Sequence, residues 1–202
     1  MKLDIAQKRG AFIGKVNGLL QEFHNVSSGV FMRLMNSYAL CIYGSNLWDI
    51  FSSDCERLYT SYNVAIRNIL KVDRCTHRYL IEPLSDSIHL KTMIQSRYVS
   101  FYKSLRQCNK LPVRFLAHIC GADQRTVLGR VLRTIADMCN TDTDFLSPQL
   151  VKKKLSYRSA CENEVWRIDA ARELLSLRDQ NLILPGFTSD EINQMLDYVC
   201  IT

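Results

Sequence analysis

Gly10, Gly14 and Gly18 recur at four-residue intervals in a segment of helical periodicity, and Gln7, Asn17 and Gln21 share their face. Lys8 and Lys15 stand on the shoulder of that face. The chemistry available to such residues is binding. Each interior glycine forfeits about 1 kcal/mol of helix propensity against alanine, so three of them call for compensation. A smooth, uncharged, hydrogen-bonding surface beside two lysines suits close approach to a sugar-phosphate backbone and a minor groove. The same surface also suits a second helix packing through its backbone, or an ordinary solvated face.

Arg57, Arg67, Lys71 and Arg74 form a second group, joined by Thr60 and Asn63 and lying broadly opposite an apolar helical stripe. Four cations on one face can hold phosphates, and affinity from such contacts falls as salt rises. A solvated surface has the same pattern. Arg97, Tyr98, Phe101, Tyr102, Lys103 and Arg106 make a basic-aromatic cluster. Phe101 fits a core stripe there, and burial is preferred to base stacking.

Residues for catalysis are missing. Two-metal phosphoryl transfer needs carboxylates close enough to share ions, and the chain has no Asp-Asp dipeptide. Asp142-Thr143-Asp144 sits in a polar connector and reads as helix capping. No Gly-x-Ser-x-Gly elbow, phosphate-binding loop or His-Glu-x-x-His helix occurs. The eight cysteines include no Cys-x-x-Cys pair, and neither Cys75-Thr76-His77 nor His118-Ile119-Cys120 has a second ligand pair nearby. Reduced thiols acting as small hydrophobes are expected, with no metal, no other cofactor and no small-molecule substrate. His77 reads as a structural hydrogen-bonder rather than a proton shuttle.

Charge sharpens the binding reading. Residues 1–110 carry 15 Lys and Arg against 8 Asp and Glu, whereas residues 111–202 carry 11 against 12. The positive excess therefore lies wholly in the first half and points to a polyanionic partner. The longest apolar run, Tyr38 to Tyr43, falls far short of the roughly 18 residues of a membrane span. The amino terminus lacks the apolar stretch of a secretory signal. A soluble intracellular protein, cytoplasmic or nuclear, is expected.

The elements that must carry these residues are helices. Few glycines and prolines interrupt the chain, and strand-like alternation never persists. A first helix is expected over 3–23, with Ile5, Phe12, Val16, Leu19 and Phe23 inward. A second, 28–51, is apolar on nearly every side and should lie at the centre of the fold, with Gly44 bending or splitting it. Ser53-Asp54-Cys55-Glu56 reads as a capping box opening a third helix to Val72, with Leu58, Tyr62, Ala65, Ile66 and Ile69 buried. After a turn at Glu82-Pro83-Leu84, Ser85 should cap a fourth helix to Gln107, with Leu90, Ile94, Phe101 and Leu105 inward. Shorter helices are expected at 113–119, 123–139, 147–157, 160–179 and 189–199. The last opens on a second box, Thr188-Ser189-Asp190-Glu191. The expected fold is all-α: an irregular helical bundle over 1–108 and a smaller helical region over 113–202, divided at Asn109-Lys110-Leu111-Pro112.

Tyr43-Gly44-Ser45-Asn46-Leu47-Trp48, Asn63-Val64-Ala65-Ile66-Arg67-Asn68-Ile69-Leu70 and Thr76-His77-Arg78-Tyr79-Leu80-Ile81-Glu82-Pro83 come after Lys8-Arg9-Gly10-Ala11-Phe12-Ile13-Gly14-Lys15-Val16-Asn17 in this order. Together they resemble the region after the polymerase palm in reverse transcriptases of non-LTR retrotransposons, of the LINE-type, jockey-like kind. Asp123-Gln124-Arg125-Thr126-Val127-Leu128-Gly129 is similar to a stretch farther downstream in such elements. The likeness covers about residues 5–135 and thins towards Thr202. It implies a thumb-like bundle that closes over template and primer, with one helix tracking the minor groove.

Carried over, the resemblance favours Gln7, Gly10, Gly14 and Asn17 as duplex-facing, and Lys8, Lys15 and Arg67 as backbone-contacting. It implies RNA or an RNA–DNA duplex as partner, together with the palm and fingers of the polymerase. The endonuclease, fingers and Asp-Asp palm motif are not in this sequence, so the chain alone is not expected to be an enzyme. A fragment of a larger RNA-directed DNA polymerase, or the product of a truncated element copy, is the expected origin. The alternative is a helical protein-interaction or scaffold module derived from such a copy.

Overall fold

A computed structural model describes residues 2–23, 26–156, 165–180 and 188–201. The protein is all-α: ten α-helices and no strand occur among the described residues. They are α1 (Lys2–Glu22), α2 (Ser28–Leu34), α3 (Ser53–Leu70), α4 (Arg78–Leu84), α5 (Leu90–Arg106), α6 (Leu111–Ala122), α7 (Val127–Cys139), α8 (Pro148–Leu155), α9 (Val165–Asp179) and α10 (Ser189–Ile201). None is long and apolar enough to cross a membrane.

The chain forms two compact units, each assembled from separate stretches. One comprises residues 1–5, 42–57 and 88–156; the other comprises 6–41, 58–87 and 157–202. The Asn109–Pro112 stretch lies within the first of these and leads into α6, Leu111 and Pro112 being its first two residues.

In the first unit α5 packs against α6, α8 and a 3-10 turn at Ser45–Leu47, while α7 packs on α6 and α8. Tyr98, Val99 and Tyr102 are buried, together with Leu90 and Ile94. Phe101 and Leu105, expected inside, are only half-buried. The aromatic residues on either side of Phe101 have taken the core, and Phe101 is rotated to the margin. Two buried hydroxyls fasten α8 at both ends: Thr92 Oγ1 donates to the Leu155 carbonyl and Ser96 Oγ to the Pro148 carbonyl, each at 3.1 Å. Such bonds satisfy polar groups that would be costly if buried alone.

In the second unit α9 packs on α10 and α4. Phe12, Val16 and Leu19 of α1 are buried, as are Leu58, Tyr62, Ala65, Ile66 and Ile69 of α3. The Phe12 and Tyr62 rings lie 6.1 Å apart, a normal separation for an aromatic pair. Burial raises the pKa of the Tyr62 phenol; a hydrogen bond with Ser87 opposes it and nearby Glu82 adds to it. Ile5 is buried as its spacing requires, but Phe23 is 37% exposed because α1 ends at Glu22.

Several expected boundaries are corrected. The long second helix stops early: α2 passes into a π-turn at Met35–Ala39, and the chain is extended at Leu40. Gly44 has φ +81, which favours glycine, and it opens the Ser45–Leu47 turn. Ser52, rather than Ser53, caps α3 by accepting the Cys55 N–H at 3.4 Å. Pro83 lies inside α4 instead of ending it, and Leu84 is the last helical residue. Ser85 does not cap α5; it closes α4 through its backbone N–H, and its hydroxyl bonds to Glu82 and Ser87. His89 caps α5, accepting the Lys91 N–H at 3.2 Å. The expected start of α9 at 160–164 lies outside the described residues.

The second capping box is present. Glu191 accepts from the Thr188 N–H at 2.7 Å and from its hydroxyl at 2.9 Å, and returns its own N–H to Thr188 Oγ1 at 3.3 Å. Those bonds hold the Glu191 carboxyl below the usual carboxylate range. Asp142-Thr143-Asp144 does not cap by side chain. Asp142 makes no capping bond, and Asp144 instead accepts from Arg106 at 2.6 Å. Cys55, Cys139 and Cys200 are buried and not in disulfides, whereas Cys41 and Cys75 are exposed and do not pack as small hydrophobes.

Candidate nucleic-acid interface

The glycine face of α1 is open. A methyl group placed on Gly10, Gly14 or Gly18 would meet nothing within 4 Å. No helix of the second unit therefore packs there through its backbone, among the described residues. Gln7, Asn17 and Gln21 are exposed beside the glycines. Lys15 is exposed, donates to the Tyr38 carbonyl at 3.3 Å and lies 5.2 Å from the Tyr38 ring centre. An ammonium has three donors, so this contact steadies the lysine without exhausting it. Lys8 is half-buried with Nζ 4.0 Å from Cys41 Sγ. Arg9 turns away from this role and donates to Ser61 Oγ at 3.0 Å.

The four cations of the α3 segment do not form one group. Arg67 is folded in: its guanidinium donates to the Thr76 carbonyl at 2.8 Å, and its Nε is buried without a partner. Burial, helped by the positive charge of Arg78, lowers its pKa. Arg67 therefore works as a strut across the turn after α3. Lys71 and Arg74 are exposed, and neither is ion-paired among the described residues. Lys71 adopts φ +50 at the end of α3, where the Val72 N–H returns to the Arg67 carbonyl at 3.1 Å. That is a left-handed helix ending occupied by a lysine in place of the usual glycine. Arg57 belongs to the other unit, where it is exposed and reaches Asp54 at 3.7 Å.

Residues 6–41 carry Lys8, Arg9, Lys15 and Arg33 against Glu22 as the sole acid. The α1 surface is therefore electropositive and suited to an anion. Carboxylates are not brought together: no group of three His, Cys, Asp or Glu residues that could hold a metal ion occurs among the described residues.

Three arginines of α9 that the sequence did not single out hold the second unit. Arg178 donates to the Lys71 carbonyl at 3.0 Å and to the Leu70 carbonyl. Arg172 gives two bonds to the Pro83 carbonyl, at 2.8 and 3.2 Å. Arg167 reaches the Tyr79 hydroxyl at 2.9 Å. Helix ends carry unsatisfied carbonyls by construction, which signals the need for donors. Nothing in the spacing of these arginines says which carbonyl each will find. His77 also serves structurally, through its backbone: its N–H donates to the Cys200 carbonyl at 3.2 Å, and its ring stacks on Tyr79 with centres 5.3 Å apart.

No protein-family model, curated protein or solved structure matches this chain.

Proposed function

We propose that this chain is a non-catalytic helical module that grips RNA or an RNA–DNA duplex, in the manner of a thumb and C-terminal region of a non-LTR retrotransposon reverse transcriptase. One observation carries the reading: the glycine face of α1 meets no packing partner and is flanked by exposed Gln7, Asn17 and Lys15. Three open glycines cost about 3 kcal/mol of helix propensity, and contact with a smooth duplex surface supplies a reason to keep them. Lys8, Lys71 and Arg74 add cations that no acid neutralises among the described residues. Arg67 is withdrawn from the contact set, since its guanidinium is committed to Thr76.

Anisotropy titration of a labelled RNA–DNA duplex tests the proposal. Binding in low salt should weaken steeply as salt is added. The Lys8→Ala/Lys15→Ala variant should flatten the log–log salt slope by about 2, close to one unit for each phosphate no longer neutralised. No duplex binding in low salt would sink the proposal, and a double variant with the parent slope would remove α1 from the interface.

A protein-interaction module is the second reading, and α6 favours it. Leu111, Phe115, Leu116 and Ile119 are 65%, 62%, 59% and 46% exposed, so four apolar side chains of this helix stand in water beside Arg114 and His118. Contiguous exposed apolar residues commonly mark an interface. Light scattering on the whole chain should then show self-association that Phe115→Glu/Leu116→Glu abolishes. A monomer at every accessible concentration would count against self-association through this face.

A further inference from the structure

Residues of the stretch Ile42–Leu47 form one wall of a groove in the first unit, and α5 forms the other. The groove has a volume of about 520 Å³, within the range of sites for small ligands. Its lining is mainly apolar and includes Tyr43, Asn46, Leu47, Arg97, Ser100 and Phe101. Arg97, Ser100 and Phe101 follow helical spacing of three and four residues, which brings them to one side of α5.

Two features of this groove point to its ligand. Tyr43 is 84% exposed and Leu47 60%, so an aromatic ring and an aliphatic side chain stand in water. Gly44, with φ +81, makes the turn that carries Tyr43 out of the core. Arg97 is exposed, makes no hydrogen bond or ion pair among the described residues, and has no acidic side chain beside it in the groove lining. A flat apolar surface next to an uncommitted guanidinium matches a planar base joined to a phosphate. The Asn46 amide adds a donor and an acceptor for a base edge.

A peptide fits less well. There is no strand edge to extend among the described residues, and residues 97–104 of α5 make a wall of only about two turns, which a docked helix would outrun.

We propose that this groove binds one unpaired nucleotide of a single strand, its base against Tyr43 and Phe101 and its phosphate on Arg97. The site shares no residue with the α1 face and stands whether or not that face grips a duplex.

The test is anisotropy titration of the full chain with a fluorescein-labelled, ten-nucleotide oligothymidylate, beside the RNA–DNA duplex. Tyr43→Ala and Arg97→Ala should each weaken oligothymidylate binding about tenfold, the size expected for a lost stack. Tyr43→Phe keeps the ring and should retain affinity within about twofold. Both alanine positions are exposed, so melting temperatures should match the parent. Lys8→Ala/Lys15→Ala should leave oligothymidylate binding intact, and Arg97→Ala should leave duplex binding intact. The proposal is overturned if the parent does not bind oligothymidylate, if Tyr43→Ala binds like the parent, or if Tyr43→Phe loses as much as Tyr43→Ala. Displacement of the label by an acidic aromatic peptide but not by thymidine monophosphate would overturn it as well.

Discussion

Replacing Trp48 by alanine is expected to lower the unfolding free energy by about 3–5 kcal/mol, the usual cost of emptying a buried aromatic site. Trp48 is 1% exposed, and its Nε1 donates to Asp4 Oδ2 at 2.8 Å. The substitution therefore opens a cavity and removes the hydrogen bond to Asp4. Trp48→Phe separates the two contributions: it retains most of the apolar packing and should cost only about 1–2 kcal/mol for the lost bond and the missing ring. Urea unfolding reads both. The midpoint should fall with an unchanged slope, as for a loss of native stability alone. A Trp48→Ala variant within about 1 kcal/mol of the parent would show that the indole is not a core element.

Arg178→Ala should destabilise the second unit by about 2–4 kcal/mol, because two charge-assisted bonds to backbone carbonyls vanish together. The acceptors are the Leu70 and Lys71 carbonyls, at the C-terminal end of α3, where the helix has no further N–H groups of its own to offer. The Arg178 side chain is 16% exposed, and burial lowers its pKa while Asp179 and Asp197 pull it back up. Arg178→Lys should recover only part of the loss, since an ammonium cannot span two acceptors as a planar fork does. Hydrogen exchange locates the effect: amides in the last turn of α3 should exchange faster in the alanine variant. Unchanged protection there would mean that the guanidinium does not support α3.

Both sites show where the sequence was informative and where it was not. The glycine ridge was legible because positions 10, 14 and 18 fall on one side of any helix, whatever surrounds it. The Thr188–Glu191 box was legible because its partners are three residues apart. By contrast, Tyr43–Trp48 reads as a continuation of a buried apolar helix. An apolar run without amphipathic period does not distinguish a helix from a packed loop, and here the loop buries Trp48 while leaving Tyr43 and Leu47 in water. Helical spacing places Phe101 and Leu105 on the inward face of α5, yet Tyr98 and Tyr102 are the buried rings. With aromatics on adjoining faces of one helix, the neighbouring elements decide which enters the core.

The cations divide in the same way. Arg67 and Arg74 are indistinguishable as basic residues near the end of one helix. One is folded onto a carbonyl and the other is exposed with no ion pair among the described residues, because the turn at 71–76 brings Thr76 back to Arg67. Residue order alone was enough for the all-α class, most of the helices, the glycine ridge of α1 and the absence of an Asp-Asp metal motif. These depend on local spacing, where the interacting groups lie within about one helical turn. Which arginines are structural, which aromatics are exposed, and that Tyr43 and Phe101 line one groove became visible only in the folded chain. Those outcomes depend on residues far apart in the chain competing for the same carbonyl or the same place in a core, and local periodicity does not encode that competition.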